Sequence, residues 1–296
     1  MNRDFTKAQP IWLKNLENEK NIQAEFTAEF NKASDLTLNI TGATIFRVYL
    51  NGELLHYGPA RTASGYARID RVAIPTSAVR EKNLLKIEAV SYNCNCYDGV
   101  MQPGYIQAEV VTGDGSCLAA TGYDFRGFRV PARTQKVLRY SIQRHFTEVW
   151  NLCRHTEPCE VEVSDRKLTY LERRTPMPDL TELHYTDIFT YGDFRINENR
   201  VPEEYEYKWM ERFITGISDK VIGYLPEELE ENPLDVYLKT EYSLEPKSAK
   251  LPITLDRGQF AVIDLGKLQT GMIRLKFRAE PNSRIYVVFD EKIAKG

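Results

Sequence analysis

Apolar and polar positions alternate with period two over most of this chain, in short runs separated by turn residues. Ala24, Phe26, Ala28 and Phe30 alternate with Glu25, Thr27 and Glu29, which predicts a strand with one wet face. Leu36, Leu38 and Ile40 predict the next strand, ended by Thr41-Gly42. From Ile45 onward, Phe46, Val48 and Leu50 share one side, and Ile45, Arg47 and Tyr49 the other. Asn51-Gly52 then supplies a two-residue hairpin turn, because both residues accept positive φ. Leu54, Leu55 and Tyr57 begin the return, Gly58-Pro59 breaks it, and a polar loop follows with Arg61, Tyr66 and Arg68. Ala67–Ile74 alternates again until Pro75. Thr76–Asn83 reads as a short connection with one helical turn. Leu84–Val90 reads as a central strand feeding a dense polar and aromatic loop, Ser91–Gln102. Gly104–Val111 and Cys117–Ala120 bracket Thr112-Gly113-Asp114-Gly115. No helical pattern follows that turn, so it predicts a hairpin rather than a phosphate loop.

The second half is less regular. Residues 133–163 fit neither period cleanly, and Leu168–Asp179, with Pro176 and Pro178, reads as a connector. Tyr185–Asp219 reads as a long inter-domain segment, and Glu227–Glu231 as an acidic surface run stopped by Pro233. Order returns with Val236, Leu238 and Thr240 as an alternating strand and with a short strand at Phe260–Ile263. Ile273, Leu275, Phe277 and Ala279 then face in, Pro281-Asn282 turns the chain, and Ile285, Val287 and Phe289 face in again. The expected fold class is all-β: two antiparallel β-sandwich, jelly-roll-like domains joined by a long connector. The first covers 1–170, the connector 171–210 and the second 211–296, the break falling between 165 and 185.

Composition narrows the function. A chain of 296 residues accommodates two domains, and a formal net charge of −3 leaves no basic footprint for nucleic acid. No apolar run reaches the roughly eighteen residues of a membrane-spanning helix. The polar start MNRDFTKAQP lacks a signal-peptide core, which points to the cytoplasm. Trp12, in the apolar patch Ile11-Trp12-Leu13, is expected to be buried. The five cysteines, Cys94, Cys96, Cys117, Cys153 and Cys159, are an odd set in a long chain and read as free thiols. Cys153 and Cys159 flank His155, but that spacing fits no zinc module, so no metal and no cofactor are expected.

Specific motifs add a resemblance. YLNGELLHYGPARTASGY followed by YNCNCYDGVMQPGYIQAE resembles the N-terminal β-sandwich domain of bacterial α-L-rhamnosidases, glycoside hydrolase family 78. The Asn-Gly hairpin, the GPAR loop and the QPG-x-x-QAE segment carry it. FAVIDLGKLQTGMIRLKFRAEPNSRIYVVFDE resembles the second sandwich domain of the same family. The resemblance implies that hydrolysis, with inversion, belongs to a helical barrel that follows the second sandwich and holds the two carboxylates. No helical repeat occurs in this chain, so no catalytic residue is carried over. The calcium-dependent rhamnose module of some members is not carried over either, for want of a D-x-D-x-D loop.

The chain's own carboxylate pairs do not replace that barrel. Asp290 and Glu291 are strand neighbours on opposite faces, and Glu227-Glu228 lies in a charge run. His56, His145, His155 and His184 accompany no nucleophile motif. The binding candidates are Arg61, Tyr66, Tyr92, Asn93, Asn95, Tyr97, Asp98 and Gln102, which mix flat rings with amides and a carboxylate as sugar sites do. The plainer alternative is that Asn93 and Asn95 satisfy loop backbone, Arg61 and Asp70 tie loops together, and the rings pack on the barrel. Arg144, Glu148 and Trp150 form a second candidate at a domain interface. The expected role is therefore the non-catalytic part of a rhamnosidase-like hydrolase. Its partner would be the barrel downstream, with rhamnose-containing glycans at the rim. The alternatives are a standalone carbohydrate-binding module and a structural domain that forms homo-oligomers. A module should expose an aromatic platform among Tyr66, Tyr92, Tyr97 and Trp150, and a scaffold a large apolar patch.

Overall fold

The computed structural model describes residues 5–94, 96, 99–139, 145–185, 187–201, 223–245 and 249–289. The chain divides into two compact units, Met1–Leu180 with Glu203–Asp235, and Thr181–Pro202 with Val236–Gly296. The strands of the first unit are β1 (Ile11–Leu13), β2 (Ile22–Asn31), β3 (Thr37–Ala43), β4 (Ile45–Leu50), β5 (Glu53–Gly58), β6 (Tyr66–Ala73), β7 (Lys82–Ser91), β8 (Tyr105–Val111), β9 (Cys117–Ala120), β10 (Arg126–Arg129), β11 (Glu157–Cys159), β12 (Val161–Val163) and β13 (Thr169–Glu172). They form two layers. One sheet runs β12-β1-β8-β3-β6-β13 with β9 beside β8, and the other runs β11-β10-β2-β7-β4-β5.

The alternation in sequence explains this sandwich. β2 and β7 pair antiparallel along their whole length, from Ile22 opposite Ser91 to Asn31 opposite Lys82. Phe26 and Phe30 from β2 and Leu85 and Ile87 from β7 point into the interior. There they meet Leu38, Ile40, Ile106 and Val110 of the facing sheet. Directly opposite residues of an antiparallel pair share a face, so register and burial agree. Asn51 (φ 54°) and Gly52 (φ 92°) adopt the left-handed conformation that the β4–β5 hairpin requires. Trp12 is buried in the core, as expected. Thr76–Ala78 forms a 3₁₀ turn where one helical turn was expected. All five cysteines are free.

In the second unit, β14 (Asp187–Ile196) is central. It pairs antiparallel with β15 (Thr240–Glu245), β16 (Ala249–Lys250) and β17 (Gln259–Ile263). Among the described residues there is one α-helix, α1, which spans Pro233–Leu238. The described residues are thus nearly all β, in antiparallel-rich sheets, as β-sandwich domains require.

Four local expectations need correcting. Leu168–Asp179 is not all connector, because β13 adds to the first sheet by parallel pairing, Thr169–Glu172 against Tyr66–Ile69. The segment beginning at Tyr185 contains β14, whose backbone is paired on both edges. Val236 and Leu238 lie in α1 rather than in a strand. Pro233 starts that helix, and Asn232 Oδ1 accepts from Asp235 N at 3.2 Å, so local capping overrides the alternation. Residues 273–289 do not form the inward-facing strands their pattern predicts. They have no ladder partner among the described residues, and Ile273, Leu275, Phe277, Ile285, Val287 and Phe289 are exposed.

Candidate binding cleft at the loop end of the first sandwich

The cleft is built behind a buried polar cluster. Asp70 on β6 lies opposite Ile40 of β3, so it points into the sandwich. His56 on β5 lies opposite Val48 of β4 and points in from the other sheet. The two side chains meet, Nε2 to Oδ2, at 2.8 Å. Arg173, immediately beyond β13, donates from Nη1 to both Asp70 oxygens at 2.9 Å. Its Nε and Nη2 also donate to the carbonyls of Thr175 and Pro176. Gly58 leaves the room this cluster needs: a Cβ there would lie 2.5 Å from Asp70 Oδ2 and 2.8 Å from Phe46 Cζ. The conformation of the GPAR loop entrance is therefore tied to the buried carboxylate.

Beside this cluster, strand ends and loops enclose a small cleft of about 40 Å³. Thr41, Gly42 and Thr44 line it from the end of β3, Pro59, Ala60, Arg61 and Thr62 from the loop after β5, and Ala67 and Arg68 from the start of β6. Gly99, Val100, Gln102 and Tyr105 complete it. Arg68 is held in place by donating from Nε to the Arg61 carbonyl at 3.0 Å and from Nη1 to the Glu172 carbonyl at 2.8 Å. Gln102 accepts from Arg166 Nη1 at 2.8 Å, and Arg166 lies 4.8 Å above the Tyr105 ring. Burial pushes the Tyr105 hydroxyl up to about 12, although the neighbouring Thr41 hydroxyl and the Arg166 charge act the other way. The Arg61 guanidinium is exposed and has no hydrogen bond or ion pair among the described residues.

The sequence candidates separate here. Arg61 and Gln102 line the cleft, and Tyr66, 43% exposed, begins β6 next to it. Tyr92 does not face solvent. It is 5% exposed, stacks on His145 at 3.9 Å between centroids, and belongs to a second small core with Cys94, Val137 and Phe146. Asn93 donates from Nδ2 to the Asn18 carbonyl at 2.8 Å, so it satisfies backbone. Asn95, Tyr97 and Asp98 lie outside the described residues, as does Arg144. Trp150 is 40% exposed, and its Nε1 donates to Glu148 Oε2 at 3.1 Å. Arg61 and Asp70 do not tie loops to each other, since Asp70 is taken by His56 and Arg173.

The sequence reading missed Arg68, Arg166, Arg173 and Glu109 as organising residues. Glu109 is fully buried on the outer face of the first sheet. It accepts from the backbone N–H groups of Thr6, Lys7 and Ala8 at 2.9–3.1 Å and from Asn39 Nδ2 at 3.1 Å. Burial raises the pKa of its carboxyl, but these hydrogen bonds outweigh burial and hold it below the ordinary 4.5. A buried acid at an outward position, Glu109 in YIQAEVV, is the signal that could have found it. Both buried carboxylates among the described residues of the first unit, Asp70 and Glu109, are thus occupied by protein donors. No cluster of three or more metal-ligating side chains occurs among the described residues.

The fold, two layers of mostly antiparallel strands, has a counterpart in part of a solved enzyme. No protein-family model and no curated protein matches the sequence. A family GH78 rhamnosidase from Bacillus sp. GL1 superposes with a TM-score of 0.59 at 19% identity, over 66% of this chain and 22% of that enzyme. The chain therefore spans about a fifth of that enzyme's length, and its fold is GH78-like. An α-L-rhamnosidase from Dictyoglumus thermophilum gives a TM-score of 0.42 at 12% identity, over 89% of this chain and 36% of that one. A Pleurotus ostreatus lectin gives 0.30 at 17% identity, over 42% of this chain and 35% of the lectin. At those TM-scores the last two add nothing to the fold assignment. No helix among the described residues is long and apolar enough to cross a membrane.

Proposed function

We propose that this chain is the non-catalytic N-terminal portion of an α-L-rhamnosidase-like glycoside hydrolase, scaffolding a catalytic helical barrel that follows it and contributing to the substrate rim. The GH78-like fold and the motif resemblance support the family reading. The observation that carries the scaffold role is the apolar stretch at 273–289. Its alternating Ile273, Leu275, Phe277, Ile285, Val287 and Phe289 are 49–68% exposed, as expected of a surface that another part of a larger protein covers. Asp70 and Glu109 are committed to protein donors and so are not themselves candidates to attack or protonate a glycosidic bond.

A standalone carbohydrate-binding module is the second reading. The exposure of Tyr66 and Trp150 favours it, while the burial of Tyr92 removes one ring from its platform. Hydrolysis of p-nitrophenyl α-L-rhamnoside separates the possibilities. The assay compares this chain with the chain extended by whatever its gene encodes beyond it. Activity in the extended protein alone is the expected result. Activity in the 296-residue chain would overturn the scaffold reading. Inactivity of both, with glycan binding by this chain, would favour the module.

A further inference from the structure

We propose that the cleft between the GPAR loop and β6 binds the carboxylate of an acidic sugar, a uronic acid unit of a glycan. The proposal rests on the carbohydrate reading above and names its ligand class. The first observation is charge. Two arginines and no carboxylate are among the described residues that line the cleft, although the whole chain carries 42 acidic against 39 basic side chains. Arg61 brings a guanidinium without a partner among the described residues. Arg68 is pinned by two backbone carbonyls and keeps Nη2 free of any described hydrogen bond. A fixed arginine beside a free one suits a planar anion that accepts two hydrogen bonds.

The second observation is size. A cleft of about 40 Å³ is too small for a pyranose ring. At about 10–15 Å³ of such space per water it holds roughly three waters, the room a carboxylate displaces. The ring would then remain outside. Tyr66 stands two residues before Arg68 on β6, hence on the same strand face, and its exposed ring is placed to cover the sugar's C–H surface. The third observation is hydroxyl chemistry. Thr44 Oγ1 accepts from Tyr92 N at 3.2 Å, which leaves its own O–H to donate, and Thr62 adds a second hydroxyl at the wall. The acceptors among the described lining residues, such as Gln102 Oε1 and the Arg61 carbonyl, are neutral, so a neutral sugar gains weaker hydrogen bonds there than an anion gains from the arginines.

The test is calorimetric titration of this chain at constant ionic strength with D-glucuronate, D-galacturonate, the neutral sugars D-glucose and L-rhamnose, and inorganic phosphate. Binding of either uronate about tenfold tighter than the neutral sugars is expected, from hydrogen bonds to a charged group. Arg61→Gln should weaken uronate binding by a similar factor with an unchanged melting temperature, because the side chain is exposed and unbonded. Equal binding of neutral sugars and uronates would overturn the proposal, as would an Arg61→Gln variant with wild-type affinity. Phosphate binding as tightly as the uronates would reduce the cleft to a general anion site and overturn the sugar assignment. A chain that binds uronate, from a gene whose full product lacks rhamnosidase activity, would sink the rhamnosidase reading and leave this one standing.

Discussion

His56 and Asp70 meet inside the first sandwich at 2.8 Å, one contributed by each sheet. Both side chains are essentially inaccessible, and Arg173 closes the cluster from the edge of the sandwich. A buried carboxylate bonded on both oxygens fixes β5 to β6 and draws the segment after β13 onto the same point.

Removing the charge should therefore be costly. Asp70→Ala leaves a buried guanidinium and imidazole without their acceptor, and such losses destabilise by about 3–5 kcal/mol. Urea unfolding should show a large drop in midpoint with an unchanged slope. Arg173→Met combined with Asp70→Leu should recover much of the loss, because a well-packed apolar replacement removes both stranded charges. A single-variant loss below about 1 kcal/mol would show that water replaces the cluster with ease.

Gly58 makes an independent prediction. A methyl group at this position would meet Asp70 Oδ2, an oxygen held by two hydrogen bonds in a carboxylate that accepts three, and the Phe46 ring. Neither neighbour is free to move, so Gly58→Ala should destabilise by about 1–3 kcal/mol through overpacking. It should also perturb the Arg61 loop, visible as changed amide shifts at Arg61 and Arg68. Gly52→Ala, with nothing within 4 Å of the added carbon, tests the backbone alone through its φ of 92°.

Glu109 sets a pH dependence whose sign follows from its depressed folded pKa. The carboxylate is favoured in the folded state, so its contribution is complete above the unfolded value near 4.5 and is lost as pH falls below it. The gap in unfolding free energy between wild type and Glu109→Gln should stay constant from about pH 7 to pH 5 and narrow at lower pH. The first detached element should be the segment at Thr6–Ala8, read by faster amide exchange there. A gap that widens on acidification would contradict the assigned direction.

The chain wrote its sandwich faces plainly and its polar joints poorly. β2, β4 and β7 each bury alternate residues, so period and burial coincide and the sequence pattern suffices. β13 pairs in parallel with β6 about a hundred residues away, and nothing local in Thr169–Glu172 encodes that partner. α1 was hidden because Val236 and Leu238 satisfy a strand pattern while the cap at Asn232 decides for helix. At the site, Arg61, Tyr66 and Gln102 were legible as polar and aromatic loop residues. Arg68, Arg166 and Arg173 were not, since their roles depend on carbonyls and carboxylates supplied from distant strands. Tyr92 misled because an aromatic in a polar loop reads the same whether it faces a sugar or stacks on His145.

The apolar stretch at 273–289 yields the last prediction. Its large side chains are half exposed or more, and no strand pairs with it among the described residues, so it packs little in this chain alone. Leu275→Lys with Val287→Lys should therefore change unfolding free energy by no more than about 0.5 kcal/mol per site, the range of ordinary surface substitutions. The same pair should reduce binding of the dye ANS and any self-association seen by light scattering, because both depend on exposed apolar area. In a longer product of the gene, the substitutions should act in the opposite sense. Lysines placed where a covering element packs would be buried unpaired, and destabilisation of several kcal/mol with loss of soluble yield is the expected outcome. A strong effect on this chain alone would mean that 273–289 already has a partner within it. No effect in either protein would mean that the surface stays open and that the scaffold role lies elsewhere.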